Sequence, residues 1–207
     1  MHIELTEMLR CPERHDEGFL VLSTGEMLGR MVRSGVLGCP KCGREYRIVN
    51  GVAHFSGSGE PGAGLSVAPS GTAPRSPLPV DAQTLQALLD LSGPGGYVLL
   101  LGCAAQHAVG LAGLMGGIHF VGVNAPDEME ELPVLSLLAC ETMIPLRQTV
   151  ARAVVVGSDR VGADWLAEAR RVLLPGRRLV IESEQVAAPS GLTRLALGHG
   201  LFVGERR

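Results

Sequence analysis

Tyr97-Val98-Leu99-Leu100-Leu101 is a short apolar run, and Gly102-Cys103-Ala104-Ala105-Gln106 follows it directly. Consecutive apolar residues bounded by turn signals are typical of a strand buried on both faces. The glycine and the small residues after it predict a turn that leads into a helix. A second run of the same character, His119-Phe120-Val121-Gly122-Val123, predicts the next strand and closes a βαβ unit.

The alternation of helix and strand patterns continues on both sides of this unit. Residues 81 to 91 have the leucine spacing of an amphipathic helix, which the Gly93-Pro94-Gly95-Gly96 run ends. We therefore expect an α/β fold, with a largely parallel, Rossmann-like sheet covered by helices on both faces. The later predicted elements are a strand over Ala153 to Val156, a helix over Ala163 to Leu173 and a strand over Arg178 to Glu182.

The end of the chain predicts an incomplete sheet. After Ile181 the pattern indicates only a small helix near Leu192 to Leu197 and one strand, Leu201-Phe202-Val203. We therefore expect one edge strand to be missing and the exposed edge to be covered by another chain.

A membrane span is the competing interpretation of the central apolar region, because no charged residue occurs between Asp90 and Asp127. Scattered glycines, the polar residues Gln106, His107 and His119, and the lack of flanking basic residues favour buried α/β structure instead. We expect no membrane span.

Two short cysteine hooks near the start of the chain predict a zinc site. Cys39 and Cys42 have the Cys-x-x-Cys spacing that lets two thiolates reach one Zn²⁺ ion from a tight turn, and Gly43 suits the turn. Cys11 opens the other hook, in which Arg14 stands where a second cysteine is usual. We therefore choose His15 as the fourth ligand. His2, His54 and Asp16 are the substitutes, and the competing interpretation is a set of buried thiols beside a solvent-facing histidine.

The cysteine count and the net charge limit the function classes. Five cysteines is an odd number, and the chain has no pattern of a secretory leader, so we expect reduced thiols and a cytoplasmic protein. A net charge of −3 gives no general attraction to nucleic acid. A local basic set could still contact phosphates, although a solvated hairpin face explains it more simply. Its members are Arg30, Arg33, Lys41, Arg44 and Arg47.

Composition divides the chain into three parts. Residues 56 to 79 are mostly Gly, Ser, Pro and Ala, which cannot bury enough apolar surface to fold, so we predict a flexible linker there. Residues 1 to 55 form the predicted zinc ribbon, with a short helix near Leu5 and a turn at Asn50-Gly51. Residues 80 to 207 form the predicted α/β domain.

The ribbon resembles a known family. Leu5-Thr6-Glu7-Met8-Leu9-Arg10-Cys11-Pro12 and Leu37-Gly38-Cys39-Pro40-Lys41-Cys42-Gly43-Arg44-Glu45-Tyr46-Arg47-Ile48 together resemble the small zinc-ribbon proteins that bind and activate tRNA, rRNA and release-factor methyltransferases. The resemblance covers most of residues 3 to 55 and implies a protein partner. His15 departs from the common pattern of that family.

The second part resembles class I S-adenosylmethionine-dependent methyltransferases. Val98-Leu99-Leu100-Leu101-Gly102-Cys103 resembles the first motif of that family, and Phe120-Val121-Gly122-Val123-Asn124 resembles the motif of its second strand. The stretch from Trp165 to Ile181, with Leu174-Pro175-Gly176 at its centre, is similar to the helix, turn and strand that follow the active site. The resemblance implies that Gly102, Cys103 and Asn124 occupy the cofactor-binding positions.

The match breaks at the positions that would hold the cofactor. The resemblance implies several glycines after the first strand, but the chain offers Gly102 and then Cys103 and alanines. Asn124 stands where the family has a carboxylate for the ribose hydroxyls, and an uncharged acceptor makes the weaker hydrogen bond. Cys140 and Arg152 occupy two further positions where the family has acids. Four such losses are expected to remove several kcal/mol of cofactor binding, if each charged contact contributes about 1.5–3 kcal/mol.

No other catalytic set is evident, and we predict no catalytic residue. His107, Cys103 and Cys140 lie in apolar runs and are interpreted as packed core residues. Glu182-Ser183-Glu184 follows a strand at the sheet edge where α/β proteins bind ligands, so it is a weak site candidate against a solvated loop.

Our leading hypothesis is a degenerate methyltransferase-like domain, fused to a zinc ribbon, that serves as an accessory, scaffolding or activating subunit. Its partner would be a larger enzyme or a second copy of the chain. The alternative is an active methyltransferase with an unusual pocket, and direct nucleic-acid binding by the ribbon is a third, less favoured hypothesis.

Overall fold

A computed structural model of the chain describes residues 1–56, 80–130, 132–187 and 189–207. The predicted linker, apart from Ser56, lies outside these described residues. The α-helices are α1 (Ala82–Leu89), α2 (Ala108–Leu114) and α3 (Ala163–Val172), and shorter 3₁₀ segments span Ile3–Met8, Gly102–His107 and Ser158–Arg160. The strands are β1 (Val21–Thr24), β2 (Met27–Leu28), β3 (Met31–Val32), β4 (Gly35–Gly38), β5 (Glu45–Val49), β6 (Val52–Phe55), β7 (Tyr97–Leu101), β8 (His119–Val123), β9 (Leu135–Cys140), β10 (Ala151–Val156), β11 (Leu173–Ile181), β12 (Leu192–Gly198) and β13 (Leu201–Arg206).

Within the described residues, eleven strands form one sheet in the order β1-β4-β5-β6-β9-β8-β7-β10-β11-β13-β12. Strands β6, β9, β8, β7, β10 and β11 run parallel to one another. The strands on either side are antiparallel to their neighbours: β1, β4 and β5 lead up to β6, and β13 lies between β11 and β12. The strands from β9 to β11 lie in the order third, second, first, fourth and fifth along the second part of the chain, which is the doubly wound arrangement. The predicted α/β fold with a Rossmann-like, methyltransferase-type sheet is confirmed.

The period-two geometry of the strands sends alternate side chains to two separate cores. On β7, Val98 and Leu100 face the core that contains Leu85 and Leu89 of α1, together with residues of α2. Leu99 and Leu101 face the other core, which contains residues of α3 and of the ribbon. Because both faces of β7 are covered, its sequence is continuously apolar rather than alternating.

The ribbon and the α/β part share one sheet and one core. Strand β6 pairs in parallel with β9, from Val52 opposite Leu137 to Phe55 opposite Cys140. The 3₁₀ segment Ile3–Met8 is joined to the loop after β9, because the Arg147 amide donates to the Met8 carbonyl at 2.8 Å. The ribbon thus covers the edge of β9 that would otherwise be exposed.

The expectation of a helix near Leu192 to Leu197 and of a missing edge strand was wrong. These residues form β12, which pairs with β13 and completes an antiparallel hairpin at the sheet edge. The turn is made by His199 and Gly200, whose φ angles are both positive, at 55° and 77°. Two residues of positive φ make the tight turn that matches the twist of paired strands, so the hairpin geometry overrides the helix-like leucine spacing.

None of the helices in the described parts of the chain combines the length and the apolar character that a membrane span requires.

Candidate metal centre and cofactor crevice

The two cysteine hooks meet at one end of the ribbon. Cys39 directly follows β4, and the hook folds back because the Gly43 amide donates to the Cys39 carbonyl at 2.9 Å. Gly43 has a φ of +71°, which a residue without a β-carbon adopts at little cost. Cys11 follows the 3₁₀ segment Ile3–Met8. The residues just before it are held in place because the Arg10 amide donates to the Pro145 carbonyl at 3.0 Å.

The structure brings together all four predicted ligands. One ligand atom from each of Cys11, His15, Cys39 and Cys42 lies within 4.8 Å of the other three. The Sγ atoms of Cys11 and Cys42 are 3.7 Å apart, and Cys39 Sγ lies 3.3 Å from His15 Nε2. A tetrahedron around Zn²⁺ with bonds of about 2.3 Å to sulfur and about 2.05 Å to nitrogen has edges of about 3.8 and about 3.6 Å. The cluster could therefore hold a zinc ion with little rearrangement.

The imidazole of His15 is oriented for metal binding. Its Nδ1 lies 2.8 Å from the Asp16 carbonyl oxygen, which can only accept a hydrogen bond. Nδ1 therefore carries the proton, and Nε2, which faces the thiols, keeps its lone pair for a metal. Three thiolates and one imidazole leave no coordination position for water, so the set is that of a structural rather than a catalytic zinc site.

The thiols of the cluster differ in acidity. Burial raises the pKa of Cys11 to about 11, although the Tyr46 hydroxyl, 3.0 Å from its Sγ, acts to lower it. Burial also acts to raise the pKa of Cys39, but hydrogen bonds from the Cys42 and Lys41 amides outweigh it and bring the pKa down to about 7. A bound cation would favour the thiolate form of all three cysteines.

The substitute ligands lie elsewhere. His54 is exposed on β6, and the His2 ring lies 5.0 Å from the ring of His119 on β8. The Asp16 carboxylate is almost fully exposed and lies 3.9 Å from Lys41 Nζ. The choice of His15 is therefore the one that the geometry supports.

The candidate cofactor crevice lies where β7 and β10 end. These adjacent strands lead into helices on opposite faces of the sheet, and open α/β sheets bind ligands at such a switch point. Gly102, directly after β7, has a φ of +64°, and Gly157 directly follows β10. The predicted turn into a helix is confirmed here as the 3₁₀ segment Gly102–His107 followed by α2.

The space over Gly102 is filled by the chain itself. A β-carbon at Gly102 would lie 2.3 Å from Asp159 Oδ1 and 2.6 Å from Arg160 Cγ. The Cys103 amide donates to Asp159 Oδ1 at 2.9 Å, and Arg160 Nε lies 3.4 Å from Asp159 Oδ2. The Arg160 guanidinium also lies 5.6 Å from the centre of the Trp165 ring. Sequence reasoning did not assign a role to Asp159 or Arg160, since no motif marks them.

Asn124 is held by a backbone hydrogen bond at the end of β8. It has a φ of +51°, and its Oδ1 accepts a hydrogen bond from the Cys140 amide at 2.8 Å. Asn124 therefore ties the ends of β8 and β9 together. Cys140 itself is buried, and this burial raises the pKa of its thiol to about 12, so it is an inert core thiol.

A buried polar group lies beneath the crevice. His107 Nε2 and Glu182 Oε1 are 2.7 Å apart, and each side chain is only 1% exposed. The Cys103 thiol donates to Glu182 Oε2 at 3.7 Å, and burial raises the pKa of that thiol. Glu182 is thus a buried partner of His107, and no sequence motif links these two residues. Cys103 lacks the lowered pKa of a nucleophilic thiol.

Arg152 does not belong to the crevice. It stands near the start of β10, at the opposite end of the sheet, where its guanidinium donates to consecutive carbonyls of the loop before β7. The distances are 2.6 Å to Ser92 O and 3.1 Å to both Gly93 O and Pro94 O. The interpretation of Arg152 as a charge reversal at the cofactor site was therefore wrong.

The residues present do not fit S-adenosylmethionine. The backbone donor of Cys103 and the acceptor of Asn124 already have partners within the chain, and Asp159 occupies the space over Gly102. Two surface cavities of about 220 and 510 Å³ open beside Glu141 and Thr142, and the described residues that line them include neither Gly102 nor Asn124.

The basic set on the ribbon is largely paired. Arg30 pairs with Glu4, Arg44 Nε lies 3.2 Å from Glu13 Oε1, and Lys41 lies 3.9 Å from Asp16. Most of its positive charge is therefore offset by nearby carboxylates.

Comparison with known proteins gives structural matches of low identity. The chain is 17% identical to a SAM-dependent methyltransferase from Aquifex aeolicus, with 61% of this chain and 88% of that chain covered and a TM-score of 0.47. The chain is 23% identical to a geranyl diphosphate methyltransferase solved with GPP and sinefungin. The match covers 48% of this chain and 42% of that chain, with a TM-score of 0.42. A third match is a chain in the complex between the Haloferax volcanii Trm112 methyltransferase activator and the putative methyltransferase, with 20% identity. It covers 48% of this chain and 50% of that chain, with a TM-score of 0.39.

The chain spans only 42% of the geranyl diphosphate methyltransferase that it matches. No protein-family model matches the sequence, and no curated protein matches it either.

Proposed function

We propose that this protein is a zinc-binding pseudo-methyltransferase that serves as an accessory, scaffolding or activating subunit of a protein complex. The observation that carries the proposal is the occupied crevice: the Asp159 carboxylate lies over Gly102 and accepts the hydrogen bond of the Cys103 amide. A cofactor that needs bare backbone at this turn would have to displace a charged hydrogen bond of the chain.

The state of Asn124 supports the same proposal. Its amide oxygen already accepts the Cys140 amide at 2.8 Å, which uses one of its two lone pairs and holds the side chain between β8 and β9. A ribose would meet one remaining lone pair of a neutral acceptor, and breaking the Cys140 bond to free the other would cost about 1–3 kcal/mol. Asn124, which stands where the resembled family has a carboxylate, therefore has a structural role instead.

The zinc site has a structural role in this proposal. With all four ligands supplied by the protein, the ion would hold the two hooks of the ribbon together, and metal binding would be part of the folding free energy of the ribbon. Because β6 of the ribbon pairs with β9, the metal would also keep the edge of the methyltransferase-like sheet covered. The resemblance of the ribbon to methyltransferase activators makes a protein partner the expected class of ligand, and reduced thiolates fit a cytoplasmic protein.

One observation favours the alternative, an active methyltransferase with an unusual pocket. The backbone of the turn after β7 keeps a glycine of positive φ and an amide that binds a carboxylate, although that carboxylate is the chain's own. Isothermal titration calorimetry of the zinc-loaded protein with S-adenosylmethionine separates the two functions. The proposal expects no binding, whereas a micromolar Kd would support the alternative.

A further inference from the structure

The backbone beneath Asp159 retains the form of a ligand-binding turn. Gly102 has no side chain to obstruct the crevice, and the next residues after Cys103 are the buried alanines Ala104 and Ala105. The Cys103 amide makes its hydrogen bond to Asp159 Oδ1, a carboxylate oxygen from a residue 56 positions away. If that carboxylate were removed, the amide would be free to bind the carboxylate of another molecule.

The segment that fills the crevice is short and lightly held. It is the single 3₁₀ turn Ser158–Arg160, and the side chains of Asp159 and Arg160 are 45% and 29% exposed. Two backbone hydrogen bonds anchor it, from the Gly157 amide to Leu101 O at 2.9 Å and from the Arg160 amide to Gly157 O at 3.0 Å.

Arg160 is incompletely satisfied in this position. Its Nε is buried and has no hydrogen-bond partner among the described residues, although Asp159 Oδ2 lies 3.4 Å away. A buried donor without an acceptor is destabilising, so the closed arrangement carries an internal cost. The guanidinium also covers one face of the Trp165 ring, which would otherwise offer a flat apolar surface to a planar group.

We propose that Asp159 and Arg160 act together as an internal ligand, which closes a binding site for a small molecule that combines a carboxylate with a planar aromatic ring. Asp159 takes the place of the carboxylate at the Cys103 amide, and Arg160 takes the place of the ring beside Trp165. This inference rests on the proposed function, because it explains how a methyltransferase-like turn is closed to its ligand. It assigns the closure over Gly102 to two side chains, in addition to the fixed Asn124 at the end of β8.

The test compares the zinc-loaded wild-type protein with the Asp159→Ala/Arg160→Ala variant. S-adenosylhomocysteine, which carries both a carboxylate and an adenine ring, is titrated into each by calorimetry. We expect no heat from the wild type at ligand concentrations of about 1 mM, and a Kd of about 100 μM or less for the double variant. The control variant Asp127→Ala/Arg47→Ala, which removes the same two charges from exposed positions, should behave as the wild type.

The outcomes separate this inference from the proposed function. Absence of binding to both proteins would overturn the internal ligand and leave the proposed function intact. Equal binding to both would overturn the two together. Adenosine, which lacks the carboxylate, should bind the double variant at least about tenfold more weakly, and equal affinity would contradict the role assigned to Asp159.

A second measurement does not require ligand binding. A methyl group at Gly102 would collide with Asp159 and Arg160 in the wild type, so Gly102→Ala should lower Tm more in the wild type than in the Asp159→Ala/Arg160→Ala background. The cost of placing alanine at positive φ is the same in both backgrounds and cancels in the comparison. An equal loss of Tm in both would show that neither side chain lies on Gly102 in solution.

Discussion

Asp159 Oδ1 accepts a hydrogen bond from the backbone amide of Cys103 at 2.9 Å, across 56 residues of sequence. This contact joins the turn after β7 to the turn after β10, the two chain segments between which a doubly wound sheet ordinarily binds its ligand. The contact makes the crevice a packed part of the molecule.

Asp159→Ala is expected to destabilise the protein modestly. The Cys103 amide would lose a charged acceptor, an interaction of about 1.5–3 kcal/mol when it is buried, and the 45% exposure of Asp159 reduces the expected loss to about 1 kcal/mol. Urea unfolding at neutral pH measures the change. Asp127→Ala, at an exposed position, is the control and should change the free energy of unfolding by less than about 0.5 kcal/mol. A neutral effect of Asp159→Ala would mean that the hydrogen bond contributes nothing in solution.

Removal of one thiol is expected to remove the metal. Elemental analysis of the wild type should give one equivalent of zinc, and Cys42→Ser should give far less, because three ligands bind the ion much more weakly than four. Cys103→Ser, which changes a thiol outside the cluster, is the matched control and should keep its zinc. A metal-free wild type with an intact ribbon would contradict the zinc site.

Loss of the metal should also destabilise the edge of the central sheet at β9. Because Val52 to Phe55 pair with Leu137 to Cys140, unfolding of the ribbon would expose the edge of β9. Hydrogen exchange of Cys42→Ser should therefore show faster exchange in β9, while the distant hairpin of β12 and β13 stays protected.

Tyr46→Phe is expected to weaken the metal site without abolishing it. The Tyr46 hydroxyl lies 3.0 Å from Cys11 Sγ, and groups that hydrogen-bond to metal ligands typically change metal affinity by about 10–100-fold. Competition with a chromogenic chelator measures the affinity. Tyr97→Phe, at the chain's other tyrosine, is the control. Identical zinc affinities for the two variants would show that the hydroxyl does not support the cluster.

The clustering of the four candidate metal ligands could be predicted from the sequence because each hook has the local spacing of a metal-binding turn, and the turn of Cys39 to Cys42 needs little tertiary information. The parallel sheet could be predicted for a similar reason, since buried strands such as β7 are continuously apolar. The strand β12 could not be predicted from the sequence. The spacing of Leu192 and Leu195 suits a helix, and it is the pairing with β13 that makes this segment a strand.

The closure of the crevice also lay beyond sequence reasoning. Asp159 and Arg160 have no motif, and their effect depends on the approach of two turns that only the folded sheet brings together. Arg152 illustrates the opposite error, since its position relative to a family pattern suggested the cofactor site while its side chain binds the loop of Ser92 to Gly95 at the other end of the sheet.

Stability should fall in mildly acidic solution because of His119. Burial is the main reason that the pKa of His119 is lowered to about 4, with smaller contributions from His2 and the chain's amino terminus. The unfolded chain binds this proton near pH 6.5 and the folded chain does not, so stability is complete above about pH 6.5 and is lost as the pH falls toward 4. The Tm difference between pH 7.5 and pH 5 should be smaller for His119→Asn than for the wild type. His199→Asn, at an exposed hairpin turn, should keep the wild-type pH dependence, and a His119→Asn profile parallel to the wild type would contradict this assignment.

Calorimetric titration of the zinc-loaded wild-type protein with S-adenosylmethionine tests directly whether the crevice over Gly102 is closed to the cofactor. With Asp159 over Gly102 and Asn124 bound to the Cys140 amide, the expected result is no measurable binding at ligand concentrations up to about 1 mM. A saturating isotherm with a Kd in the micromolar range and one site per chain would contradict the account.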